Sequence, residues 1–135
     1  MSIVLLTVTA LFISDIGRSS AAKDVHQTPP DLIKNIQEST DLSCSHSIPN
    51  HEFMLWYKRS ENKQLQLLGY LNSKFPYPED SLKAKIELYG DGNNEGKLTI
   101  KNLQPDDSAV YFCAVGLGIN RDQAYFGDGT KLTVL

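Results

Sequence analysis

The sequence lacks a basic excess, an apolar run of membrane-spanning length, an internal repeat and any sustained helical period, and its 135 residues include only two cysteines. Each absence removes a class of function. The formal net charge is −3, whereas a protein that neutralises phosphates carries clustered lysine and arginine, so nucleic acid is not an expected partner. Two cysteines cannot complete a structural zinc site, which needs four closely spaced Cys or His ligands. Without a 3.6-residue hydrophobic period nothing argues for a helical bundle. No Asn-x-Ser/Thr sequon occurs, so N-linked glycan at that motif is not expected.

What is present begins with "MSIVLLTVTALFI", followed by "SDIGRSSAA". The apolar part is too short to span a bilayer and resembles a secretory signal, although the usual positive charge after Met1 is missing. Ser20 and Ala22 satisfy the small-x-small cleavage rule. Residues 1–22 are therefore expected to be a signal peptide, and residues 23–135 one domain. In the secretory pathway Cys44 and Cys113, the only pair available, are expected to form a disulfide. Closing so long a loop is worth roughly 4 kcal/mol in the chain-entropy model, a large share of a small domain's stability.

The rest reads as short strands separated by turn-forming clusters, which predicts an all-β sandwich or barrel. Strands are expected over residues 39–45, 54–59, 65–70, 83–89, 97–103, 109–115 and 124–135, with weaker ones near Val25 and Leu32. Turns are expected at "TPPD", "SIPNHE", "RSENKQ", "FPYPED", "GDGNNEG", "QPDD" and "GLGINRD". Alternation picks out the buried face: Leu42 with Cys44, Ile86 with Leu88, Leu98 with Ile100, and Tyr111 with Cys113. Trp56, the single tryptophan, lies where an indole could fill the space beside a buried disulfide.

The stretch "DDSAVYFCAV" breaks the pattern of a strand with one wet face, because from Ala109 to Val115 no side chain is charged or amide-bearing. With Tyr111 and Cys113 inward, Phe112 must point outward; with Met54 and Trp56 inward, so must Leu55 and Tyr57. Leu65 and Phe126 can join the same outer face. An apolar patch of this kind marks a partner site.

Catalytic and metal chemistry find no footing. "GLGINR" begins like a dinucleotide loop but lacks the third glycine and a following helix. Asp91, Asn93, Glu95 and Gly96 imitate the first half of a calcium loop, yet the twelfth position is Asn102 and strand-like sequence fills the remainder, so a hairpin turn is expected. His46 and His51 share one loop without a third ligand and read as exposed polar residues. Asp106 and Asp107 are adjacent, so their side chains diverge. No nucleophile, base and orienting acid can be assembled; neither an enzyme, a cofactor nor a metal is expected.

Taken in order, Cys44, Trp56 within "WYK", Tyr111 two residues before Cys113 in "DDSAVYFC", and the closing "FGDGTKLTVL" resemble an immunoglobulin variable (V-set) domain across residues 24–135. The resemblance implies a V-type sandwich of two antiparallel sheets with one inter-sheet disulfide. The "FGxGT" ending resembles a joining segment, which implies a product of gene rearrangement. "VHQTPPDLIKN" and "KLTVL" look most like a T-cell receptor beta chain, while "CAV" more often opens the third loop of alpha chains.

Residue roles follow from that resemblance. Trp56, Leu98 and Tyr111 are expected in the core, with Tyr111 also resembling the family's tyrosine corner, whose hydroxyl holds the preceding loop. Asp107 resembles the acid that pairs with a base at the start of a neighbouring strand, here Lys83 or Lys85. Gly127 and Gly129, around Asp128, suit a bulge that bends the final strand. The outer-face residues Leu55, Tyr57, Arg59, Leu65, Phe112 and Phe126 are implied to meet a second variable domain, from an alpha chain. Arg59 departs from the pattern: many family members carry there a glutamine that bonds its counterpart across the interface. A charge at this place needs a rim position or an acidic partner.

Ligand contact is implied for loops at one end of the sandwich: residues 46–53 with Pro49, Asn50, His51 and Glu52; residues 70–75 with Tyr70 and Asn72; and residues 115–124. In the third, Gly116 and Gly118 are expected to give backbone freedom, Leu117, Ile119 and Asn120 to lie between, and Arg121 and Asp122 to present charges near the tip, without a large aromatic anchor. The implied ligand is a peptide held by a histocompatibility molecule, and the implied location the cell surface, as part of a membrane receptor. Anchor and contacts with signalling subunits would lie in regions absent from this sequence. Two other functions share the field: an immunoglobulin light-chain or innate-receptor V domain with a joining-like tail, and a secreted enzyme. Sequence downstream of Leu135 separates the first two, and a hydrolysis screen tests the last.

Overall fold

The computed structural model describes residues 24–62 and 64–135. The expected signal peptide and Lys23 lie outside the described residues. Eleven strands follow in chain order: β1 (Val25–Thr28), β2 (Asp31–Lys34), β3 (Thr40–His46), β4 (Phe53–Arg59), β5 (Leu65–Asn72), β6 (Phe75–Pro78), β7 (Ile86–Gly90), β8 (Glu95–Ile100), β9 (Ala109–Gly116), β10 (Tyr125–Phe126) and β11 (Thr130–Val134). They form two sheets, one ordered β1-β3-β8-β7 and the other β2-β11-β9-β4-β5-β6 with β10 paired to β9. Every pairing is antiparallel except β2 with β11. The chain changes sheets at Pro29 and Pro30, between β1 and β2, where residues without an N–H cannot continue a ladder.

Alternation along the strands builds the space between the sheets. Leu42 faces Leu98 across β3 and β8, and Trp56 faces Cys113 across β4 and β9. Trp56, Leu42, Leu98 and Cys113 have no exposed surface. The Cys44–Cys113 disulfide joins β3 to β9, and so one sheet to the other, with Cα atoms 6.4 Å apart. The indole lies on the cross-strand partner of one bridged cysteine, in the same apolar core as both.

A bulge in β5 decides which residues reach the other side. Trp56 pairs with Gly69 and Tyr57 with Leu67, which leaves Leu68 as an extra residue. Leu68 joins the inner core, while Leu65, Leu67 and Tyr70 all pack on the outer face. With regular alternation Tyr70 would have pointed inward. Only glycine fits at position 69: its φ is +156°, and a Cβ there would stand 2.7 Å from Pro78 Cα.

Several boundaries differ from the sequence expectation. The strand expected from residue 83 starts at Ile86, because a 3-10 turn at Asp80–Leu82 runs into further turn structure. The long final strand is interrupted between β10 and β11, where Gly129 takes a φ of +97°. "FPYP", expected as a turn, is β6, an edge strand where proline is tolerated.

Gln27, on β1, was not singled out by sequence, yet it ties β1 to β9 and to Gly129 just before β11. Its Nε2 donates to the Tyr111 carbonyl at 2.6 Å, and its Oε1 accepts from the N–H groups of Cys113 (3.2 Å) and Gly129 (3.1 Å). Replacing it by alanine strands these groups in a partly buried setting, so Gln27→Ala is expected to cost about 2–3 kcal/mol in urea unfolding. A loss below about 0.5 kcal/mol would show that water replaces the amide.

Tyr111 and Asp107 close the end of the sandwich away from the loops. The Tyr111 hydroxyl donates to the Asp107 carbonyl at 2.6 Å. The Asp107 carboxylate accepts from Gln104 N at 2.8 Å and pairs with Lys85 at 2.7 Å. Lys83, the other candidate, instead pairs with Asp80 at 3.2 Å, both side chains being well exposed. Both lysines sit in the turn before β7, and it is Lys85, two residues closer to the strand, that reaches Asp107. Burial, aided by the Asp107 charge, pushes the Tyr111 phenol well above its ordinary value of 10. Because the folded value exceeds the unfolded one, the contribution is complete below pH 10 and is lost as pH rises beyond it. Stability is therefore expected to fall above about pH 10, and Tyr111→Phe to flatten that fall while costing about 1–2 kcal/mol at neutral pH. Urea melts from neutral to alkaline pH check both.

Candidate functional site

The outer face of the larger sheet carries an apolar cluster separate from the inner core. Leu55, Tyr57 and Ala114 form its floor, with Phe53, Leu65, Leu67, Tyr70, Phe112, Ala124 and Phe126 packed around them. The Tyr57 and Phe126 rings lie 5.8 Å apart, and Tyr70 stacks on Tyr77 of β6 at 5.1 Å. Burial pushes the Tyr57 phenol above its usual range. Leu55 and Tyr57 were expected to be displayed to a partner, but both are buried, Leu55 with no exposed surface. The residues packed around this floor cover it, among them Ala124 and Phe126 at the base of the third loop, so the surface on offer belongs to half-buried side chains such as Phe112, Leu65, Leu67 and Phe126. Arg59, exposed at the far end of β4, lies 4.8 Å over the Phe112 ring.

Strand register sets the loops at one end. Phe53 pairs with Asn72 on one side and Gly116 on the other, so the three expected loops leave the sheet at the same level. Pro49, Asn50, His51 and Glu52 lie between β3 and β4, and the His51 ring meets Tyr125 edge-on at 5.7 Å. Tyr70 and Asn72, counted with the second loop, belong to β5, leaving Ser73 and Lys74 as its turn. Gly116 likewise ends β9 and is buried. Neither it nor Gly118 adopts a positive φ, so the expected glycine freedom is not used in this conformation.

The third loop projects Leu117 and Ile119, 67% and 58% exposed, ahead of a short 3-10 turn at Arg121–Gln123. The Asn120 side chain caps that turn by accepting from Asp122 N at 3.0 Å, which holds Arg121 and Asp122 at the surface. At its return stands Tyr125, an exposed aromatic that sequence reading assigned no part in the loop. Its position after the loop, on a two-residue strand, hid it.

A fourth loop shares this end. The β7–β8 turn, in which Asp91 accepts from Asn93 N at 2.9 Å, lies against the second loop: Gly92 N donates to Ser73 O at 2.8 Å and Asn93 Nδ2 to Ser73 Oγ at 3.2 Å. That N–H lowers the exposed Asp91 carboxyl below its ordinary value. His46, expected to be exposed, is buried between the first and fourth loops. Its Nδ1 accepts from Ile48 N at 3.1 Å, so Nε2 carries the proton and donates to Gly92 O at 2.7 Å.

Known proteins share this arrangement. The family model described as Immunoglobulin V-set domain matches residues 27–135. The chain belongs to the immunoglobulin V-set family. This V-set domain is 33% identical over 114 residues to the mouse T-cell receptor beta chain V region CTL-F3, covering 82% of this chain and 84% of that one. It is 28% identical over 127 residues to the human T cell receptor alpha chain MC.7.G5, covering 93% of this chain and 45% of the other. Among solved structures, a chicken T-cell receptor chain superposes with a TM-score of 0.72 at 31% identity, covering 82% of this chain and 49% of that one. The V-set domain is thus an all-β receptor-type domain of T-cell receptor variable kind, and not an enzyme.

Proposed function

We propose that this V-set domain is the variable region of a T-cell receptor beta chain. Its larger sheet pairs with an alpha variable domain, and its loop end binds a peptide presented by a histocompatibility molecule. The observation that carries the proposal is the second apolar cluster on the outside of one sheet, set beside four loops that leave one end together. Such a face is half-covered in the single chain and is completed by a partner. The beta assignment follows the higher identity to the mouse beta region than to the human alpha chain. We place the assembled receptor at the cell surface; among the described residues no helix is long and apolar enough to cross a membrane.

The test is co-expression with alpha and beta chains, followed by binding of any one-to-one heterodimer to a panel of peptide–histocompatibility complexes. Pairing with alpha chains and peptide-dependent binding, weakened about tenfold or more by Ile119→Ala or Arg121→Ala, is the expected result. Pairing only with beta chains would reverse the chain assignment. A heterodimer that binds none of a large panel of complexes would overturn the ligand.

A further inference from the structure

We infer that Arg59 selects the partner domain, by requiring that it bring a carboxylate to this place on the outer face; the inference deepens the heterodimer reading and rests on it. The guanidinium lies 4.8 Å over the Phe112 ring, so its flat face is already used. Its N–H groups point along the edges of that plane. Among the described residues the Arg59 side chain makes neither an ion pair nor a hydrogen bond. In the single chain Arg59 is exposed, so those donors face solvent. Once a partner covers Phe112, it also covers the cation stacked on it, and an unpaired charge removed from water is costly.

A second cation strengthens the requirement. Val110 pairs with Arg59 on β4 and with Lys131 on β11, which places both basic residues on one row of the same face. Two strand spacings, about 10 Å, separate them. They line one groove of about 760 Å³ together with Ser60, Glu61 and Thr133. Glu61 offsets one of the two charges, so the groove keeps a cationic balance. A partner Asp or Glu entering it meets the edge of a guanidinium already held by the ring, the geometry suited to a two-pronged carboxylate contact. A glutamine could accept one bond and leave the charge uncompensated. A lysine would be repelled.

The test uses an alpha-type chain that pairs with this domain, with Glu, Gln or Lys placed in turn at its position nearest Arg59, mapped by crosslinking. Dissociation constants are measured for each against the unaltered chain, Arg59→Gln and Arg59→Glu. The expected order is Glu tightest, about tenfold or more better than Gln, with Lys weakest. Arg59→Gln should erase the preference and Arg59→Glu should reverse it toward Lys. Arg59→Lys should keep only part of it, because the stacked fork is lost. Unchanged melting of the free Arg59 variants separates these effects from misfolding. Equal affinity for all three partners, within about twofold, would overturn the inference while leaving heterodimer formation intact. Failure of every partner to pair would overturn the heterodimer reading, and the inference with it.

Discussion

Replacing Cys44 and Cys113 together by alanine is expected to lower stability by roughly 2–5 kcal/mol and to leave little folded domain near 37 °C. The bridge spans a sequence separation of 69 and is the one covalent crosslink, apart from the backbone itself, that ties β3 to β9 and so one sheet to the other. Opening it returns loop-closure entropy to the unfolded chain. It also removes two sulfur atoms from a site with no exposure, beside Trp56, where a void is not readily refilled. Urea unfolding of the oxidised domain and the double variant measures the difference. A loss under about 1 kcal/mol would mean that side-chain packing alone joins the sheets.

Phe112→Asp should weaken association with the partner variable domain at least about a hundredfold while lowering the stability of the single domain by only about 1–2 kcal/mol. The asymmetry follows from position. Phe112 is half-buried on the outer face, so much of its ring is in water until a partner arrives, whereas its neighbours Tyr111 and Cys113 are inside. A carboxylate there would sit desolvated among Leu65, Leu67 and Phe126 in the complex, although it could meet Arg59 in the free chain. Tyr89→Asp is the control: Tyr89 is 42% exposed on β7, in the other sheet, and its substitution should leave pairing unchanged. Affinity measured by surface plasmon resonance, beside thermal melts, reads both. Equal losses for the two variants would sever pairing from this face.

How much could be read from the sequence depended on whether the signal was local. Strands β3, β4 and β9 announce themselves because every second side chain must be apolar, and the outward turn of Phe112 follows from the inward turn of Tyr111 and Cys113. The tyrosine corner was legible only through the family resemblance, and its bond is a local one, Tyr111 and Asp107 being four residues apart. Gln27 was missed, and His46 was read as exposed although it is buried, because polar residues give no periodic signal. Their partners are backbone atoms 84 and 46 residues away. The β5 bulge was hidden too, since "LQLLGYL" does not say which leucine is the extra one until Pro78 comes close to Gly69. Lys83 and Lys85 looked equivalent because the 3-10 turn before β7 has no strong sequence mark. The two prolines of "FPYP" read as a turn, although an edge strand tolerates them.

Oxidative footprinting of the domain, alone and in complex with an alpha chain, tests most directly whether a second domain covers the outer face of the β4–β9 sheet. Protection on complex formation concentrated at Phe112, Phe126 and Tyr70, with Tyr89 unchanged, is the expected pattern. Protection at Tyr89 with Phe112 and Phe126 as reactive as in the free domain would contradict it.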